Sequence, residues 1–108
     1  MGHSNEVAVL LVDIEAHLRQ MNLWQDQRPS AEALASSQPF HLDTLSFAQW
    51  LQFVFLPTLH GLIETGQSLP AECGITPMAE EYIRGLGLAG GALEKTLLSI
   101  DRVLSVHR

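Results

Sequence analysis

Val7, Leu10, Leu11, Ile14, Leu18 and Met21 recur at three- and four-residue spacing, while Asp13, Glu15, Arg19 and Gln20 fall mostly off that line. Apolar positions at this period make one stripe on an α-helix. The pattern predicts a first helix from about residue 5 to about residue 22, capped by Ser4 or Asn5, with Glu6 at the positive end of its dipole. Further on, Phe47, Trp50, Leu51, Val54, Phe55, Leu59, Leu62 and Ile63 are apolar, and Val54, Phe55 and Leu56 are consecutive. A helix apolar on most sides belongs at the centre of a bundle. Ser46 is a natural N-cap, with Gln49 at the capping-box position. Pro57 removes the backbone hydrogen bond to Phe53, which predicts a kink, and Gly66 is the expected stop.

Thr76-Pro77 reads as an N-cap followed by proline at the first helical position. It opens a short helix over about residues 77–85, with Met78 and Tyr82 on one face. Gly85, Gly87, Gly90 and Gly91 form a hinge. The last helix, about residues 92–107, carries Leu93, Leu97, Ile100, Leu104 and His107 in a stripe that Leu98 and Val103 widen. Trp24 to Phe40 has the composition of a loop. Within it, Pro29 and Ser30 can open a short helix over 31–35, and Pro39 biases Gln38 away from helical angles. Connectors this long are often functional. There is no strand alternation and no internal repeat. The expected fold is all-α: a single domain spanning 1–108, built as a compact bundle of four main helices with antiparallel neighbours and a proline-kinked central helix.

Composition narrows the function. The chain is 108 residues long, 46% hydrophobic and 17% charged, with a net charge of −6 when the histidines are neutral. That suits a small folded core rather than disorder. Lys95 is the one lysine, and Arg19, Arg28, Arg84, Arg102 and Arg108 are scattered. Gripping phosphates needs clustered cations, so direct nucleic-acid binding is disfavoured, as is membrane association. The segment 45–63 comes nearest to a membrane span, but Gln49, Gln52, His60 and Pro57 favour a buried core helix. Cys73 stands alone, which suits a reducing compartment. No basic region precedes the apolar Val7 to Val12, so no secretory signal is read. The expectation is a soluble, cytoplasmic protein of bacterial type.

Candidate chemistry is thin. Asp13 and His17, and His60 and Glu64, are four residues apart on helices, but the Glu-x-x-His motif of di-metal bundles is missing, so exposed helix pairs are expected and no metal or cofactor. Cys73 lacks a basic neighbour in sequence, although the helix starting at Pro77 is close. Gly85 to Gly90 spells Gly-x-Gly-x-x-Gly, but it follows a helix where a phosphate-binding loop follows a strand. Asp43 and Thr44 stand before the central helix, either as capping or Asx-turn groups worth about 1 kcal/mol or as contacts for a partner. Trp50 is expected in the core. Trp24 covers the bundle end or, if exposed, makes a hot-spot residue.

Trp24, Gln38-Pro39-Phe40, Asp43-Thr44, Phe47, Trp50-Leu51-Gln52, Val54-Phe55, Pro57, Leu69-Pro70 and Ile75-Thr76-Pro77-Met78 together resemble the YqcC-like family, small bacterial all-helical proteins of unassigned function. The resemblance spans about residues 5–105. It implies a compact helical bundle, and an association with a tRNA pseudouridine synthase, whose gene often lies beside those of the family. The chain shows no catalytic arrangement of such a synthase, so any link to tRNA would be that of an accessory. The candidate partner or ligand contacts are Trp24, Phe40, Asp43, Thr44 and Gln52; Asp43 and Gln52, polar within the motif, are either contacts or members of a buried polar network. The function expected is a non-enzymatic protein-interaction or accessory module, with the oligomeric state open. The alternative is a small-molecule or RNA binder using a pocket between the kinked central helix and the segment 67–76. An enzyme built on Cys73 or a His–carboxylate pair is the third reading.

Overall fold

The computed structural model describes residues 2–38, 41, 43–69, 74–87 and 91–106, and the side chains of all of these but 2–4, 105 and 106. Phe40, Pro70, Cys73, Gly90 and His107 lie outside the described residues. Among those described there are helices, turns and loops and no strand. The order is α1 (Gly2–Gln20), α2 (Ala31–Leu34), α3 (Phe47–Trp50), a π-helical segment (Leu51–Phe55), α4 (Leu56–Glu64), α5 (Thr76–Leu86) and α6 (Gly91–Val106). α3, the π segment and α4 run on without a break and form the central helix.

α1 packs most extensively against α6. Val7, Leu11, Ile14 and Leu18 on α1, and Leu93, Leu97, Ile100 and Leu104 on α6, are all buried at 2% exposure or less. Both sets repeat the same four-three-four spacing, which keeps one narrow face of each helix turned inward. His17, late in α1, meets Thr96, early in α6, as antiparallel neighbours require: the Thr96 hydroxyl donates to the Ala92 carbonyl, and His17 Nε2 lies 3.1 Å from Thr96 Oγ1. Phe47, Leu51, Phe55, Leu56 and Leu59 of the central helix complete one core with Ile75, Ala79 and Ile83 from the α5 region.

The helix ends are chemically explicit. Ser46 Oγ accepts the Gln49 amide at 3.1 Å and Gln49 Oε1 accepts the Ser46 amide at 2.8 Å, the reciprocal capping box read in the sequence. α4 ends where Gly66 takes φ +68°, with Gln67 N–H donating to the Leu62 carbonyl and Gly66 N–H to that of Ile63. α1 ends in the same Schellman arrangement, with Asn22 at φ 60° in the place of glycine and Leu23 N–H donating to the Leu18 carbonyl.

Several expectations need correction. α1 begins at Gly2, so Ser4 and Asn5 lie inside the helix and do not cap it. The irregularity expected at Pro57 takes the form of a π turn: the Leu56 amide donates five residues back to the Leu51 carbonyl, and Pro57 falls in the first turn of α4, where its missing N–H costs least. Trp50 is half-buried rather than core. Its ring stacks on Phe47 at 5.9 Å and tilts against Phe55 at 5.3 Å between centroids. Ile75, not Thr76, is the N-cap of α5. Ala79 and Ile83 are the buried face of α5, while Met78 and Tyr82 flank it half-buried. Leu98 does not widen the α6 stripe; it is 40% exposed.

Candidate functional site

The N-terminal end of the central helix is where separate segments converge. Gln52, one turn in, is 8% exposed. Its amide grips the backbone of Gln25 from both sides: Oε1 accepts the Gln25 N–H at 2.9 Å and Nε2 donates to the Gln25 carbonyl at 2.7 Å. Gln49, already part of the capping box, donates from Nε2 to Gln25 Oε1 at 3.2 Å. The loop after α1 is thereby fastened along the first two turns of the central helix. A primary amide is well suited to this, since it alone carries a donor and an acceptor spaced like a peptide group.

The connector is fastened to the residues just ahead of that end. The Thr44 hydroxyl donates to the Ala33 carbonyl at 2.7 Å, Ser36 Oγ donates to Asp43 Oδ1 at 2.5 Å, and His41 Nε2 donates to the Leu34 carbonyl at 2.9 Å. His41 occupies the left-handed region at φ 53°, and its carbonyl accepts from both Thr44 and Leu45. Its buried Nδ1 has no partner among the described residues. α2 itself is capped by Ser30, as expected.

Between this end and α5 lies an open depression of about 260 Å³, lined by Leu45, Ser46, Phe47, Met78, Glu81 and Tyr82. The Tyr82 ring sits 5.9 Å from that of Phe47. The lining places the depression at the start of the central helix; neither Pro57 nor the segment 67–69 borders it, unlike the pocket expected from sequence.

The candidate residues thus divide. Gln52 serves in the polar network. Asp43 and Thr44 are exposed and tie the connector down, which leaves an outward surface as well. Trp24 is half-buried at the bundle end, with the Arg19 guanidinium 4.6 Å above its ring centroid while Arg19 Nε donates to Glu15 Oε2 at 2.9 Å. Phe40 is outside the described residues. The structure brings Asp43, Thr44 and Gln52 to one end of one helix; Trp24 adjoins them through Gln25. Sequence reasoning missed Asp101. From α6 its Oδ1 accepts the Ile75 amide at 3.3 Å, and its Oδ2 accepts the Thr76 amide at 3.0 Å and the Thr76 hydroxyl at 2.6 Å, so it caps α5 from another helix. A carboxylate beside Ile100 in the apolar half of α6 was the available signal.

Among the described residues no group of three or more His, Cys, Asp or Glu side chains could hold a metal ion. No described helix is long and apolar enough to cross a membrane. What the convergence offers is an apolar floor, a carboxylate at its edge and a polar rim, which is recognition chemistry.

Residues 6–103 match the family DUF446, described as tRNA pseudouridine synthase C. An uncharacterised protein of Haemophilus influenzae is 40% identical over 80 residues, covering 74% of this chain and 76% of that protein. The uncharacterised protein YqcC of Escherichia coli is 34% identical over 80 residues, covering 74% and 73%. A protein of Pectobacterium carotovorum named tRNA pseudouridine synthase C is 44% identical over 70 residues, which are 65% of this chain and 19% of that protein. The solution NMR structure of E. coli YqcC superposes with a TM-score of 0.77 at 28% identity, covering 97% of this chain and 90% of the other.

Proposed function

The chain belongs to the YqcC-like family, DUF446, and on that premise we propose that it is a non-enzymatic accessory module that docks on a tRNA pseudouridine synthase. One observation carries this reading. A sequence 44% identical to this chain makes up about a fifth of a protein that bears the synthase name. Modules held on one polypeptide meet at an effective concentration near the millimolar range, whereas separate chains must meet through an interface of their own. A relative of such a module is expected to carry on its surface the face that meets the enzyme.

Charge supports a protein partner over RNA. At −6 the chain repels phosphates, so holding tRNA falls to the partner. The outward surface around Asp43 and Thr44, with Phe40 nearby in sequence and Trp24 adjoining through Gln25, is the proposed contact region, and Gln52 supports it from inside. The depression beside α5, at about 260 Å³, is smaller than the ~300–1,000 Å³ of ligand pockets and suits an inserted side chain.

The test is co-expression of the full chain with the tRNA pseudouridine synthase of the same host, followed by native mass spectrometry with and without ribonuclease. A stoichiometric complex that survives ribonuclease is expected. Absence of any complex at micromolar concentrations, together with unchanged pseudouridine formation when the chain is added, would refute the proposal.

A further inference from the structure

We infer that the depression between the central helix and α5 receives a lysine or arginine side chain of the partner synthase, an inference that rests on the docking function proposed above. Its floor is apolar: Leu45 and Phe47 are buried in it, and Met78 and Tyr82 line it half-exposed. Ser46 is engaged in its capping box. Glu81 is the single charged group of the lining; it is exposed and makes no ion pair among the described residues. An apolar trough with an exposed carboxylate at its edge matches a long cationic side chain, whose methylene stem buries against carbon while its head reaches the carboxylate. The Tyr82 ring adds a face for the cation, and Met78 an adaptable wall.

Charge complementarity identifies the occupant. An enzyme that binds tRNA must present Lys and Arg to phosphates, so basic side chains are what such a partner has to offer an acidic module of net charge −6. Asp43, two residues before Leu45 in the chain, is also exposed and adds a second carboxylate to this end of the molecule.

The experiment measures the Kd of the full chain for the host synthase, ribonuclease-treated, for the wild type and for Glu81→Lys, Glu81→Gln and Glu80→Lys. Glu80 is exposed and outside the lining, so Glu80→Lys carries the same change of net charge to the adjacent position. Thermal melts check that every variant is folded. Glu81→Lys should weaken binding by about tenfold or more, Glu81→Gln by less, and Glu80→Lys by under about threefold. Raising the salt concentration should weaken the wild type more steeply than Glu81→Gln. Equal losses for Glu81→Lys and Glu80→Lys, or no loss for either, would overturn the inference and leave the docking function standing. A wild type that binds no synthase would overturn both.

Discussion

Replacing Gln52 by alanine tests whether the polar network is what fastens the loop after α1 to the central helix. Two hydrogen bonds are lost, at 2.9 and 2.7 Å, each worth about 1 kcal/mol net. The buried part of the side chain beyond Cβ adds about 0.8 kcal/mol for its methylene. Gln25 is exposed, so its freed N–H and carbonyl can take up water, which limits the penalty for unsatisfied groups. The expected cost is about 2–3 kcal/mol, or a fall in Tm of about 10 °C for a chain of 108 residues. Gln52→Glu is the sharper probe. A carboxylate can accept the Gln25 N–H, but it turns its second oxygen on the Gln25 carbonyl, where only a donor fits. Burial and that carbonyl both favour the neutral acid, so the introduced carboxyl's pKa in the folded state lies above its unfolded value. The folded state then binds more protons than the unfolded one between those two values, so the variant loses stability as pH rises through that window. Its deficit against the wild type should be largest at neutral pH and shrink on acidification. Urea denaturation from pH 7 down to 4 measures this. A Gln52→Ala cost below about 0.5 kcal/mol, or a Gln52→Glu deficit that does not change with pH, would refute the assignment.

Asp101→Asn should cost about 1.5–3 kcal/mol, because an amide nitrogen replaces one acceptor facing the donors of α5; faster hydrogen exchange at Ile75 and Thr76 in the variant would locate the loss, and unchanged exchange there would contradict it. Trp50→Ala should cost about 2–3 kcal/mol, less than a fully buried tryptophan, since the ring is half-buried against Phe47 and Phe55; a cost under about 1 kcal/mol by chemical denaturation would show that the stack contributes little. Pro57→Ala should stay within about 1 kcal/mol of the wild type, because Pro57 already sits in the first turn of α4; a large loss of helix by circular dichroism would show that the proline sets the π turn.

What could be read in the sequence was what neighbours along the chain decide. The stripes of α1 and α6, the Ser46–Gln49 capping box, the Ser30 cap and the stop at Gly66 depend on residues within about three turns of each other, and they stand where the pattern placed them. Interactions between distant segments were not legible. Asp101 reaches residues 25 and 26 positions away, and His17 meets Thr96 across 79 positions. Gln52 could be singled out as a polar residue in an apolar helix, but only the structure shows that its partner is the backbone of Gln25. On α5 the large side chains of Met78 and Tyr82 only flank the core, half-buried. The buried face of α5 runs instead through Ala79 and Ile83. Pro57 announced a disturbance; the form it takes is set by the five-residue hydrogen bond ahead of it.

The division between network and surface bears on how the docking proposed above would work on a chain of 108 residues. A stable interface covers about 800 Å² on each partner, roughly an eighth of the 6442 Å² this chain exposes. The depression at Glu81 can supply the anchoring centre of such an area but not its extent, since most binding energy comes from a few central residues and the rim serves to exclude water. The rim has to be rigid for that, or ordering it on binding would consume the gain. Here the loop after α1 is fastened to the start of the central helix, the connector to residues 41–44 just ahead of it, and α5 to α6, by amide, hydroxyl or carboxylate contacts that need no partner. Loosening that scaffold through Gln52→Ala should therefore weaken synthase binding without touching the anchor, and Glu81→Lys should weaken binding without lowering the Tm. Because one change acts through rigidity and the other through contact, the two signatures separate the support of the site from the site itself.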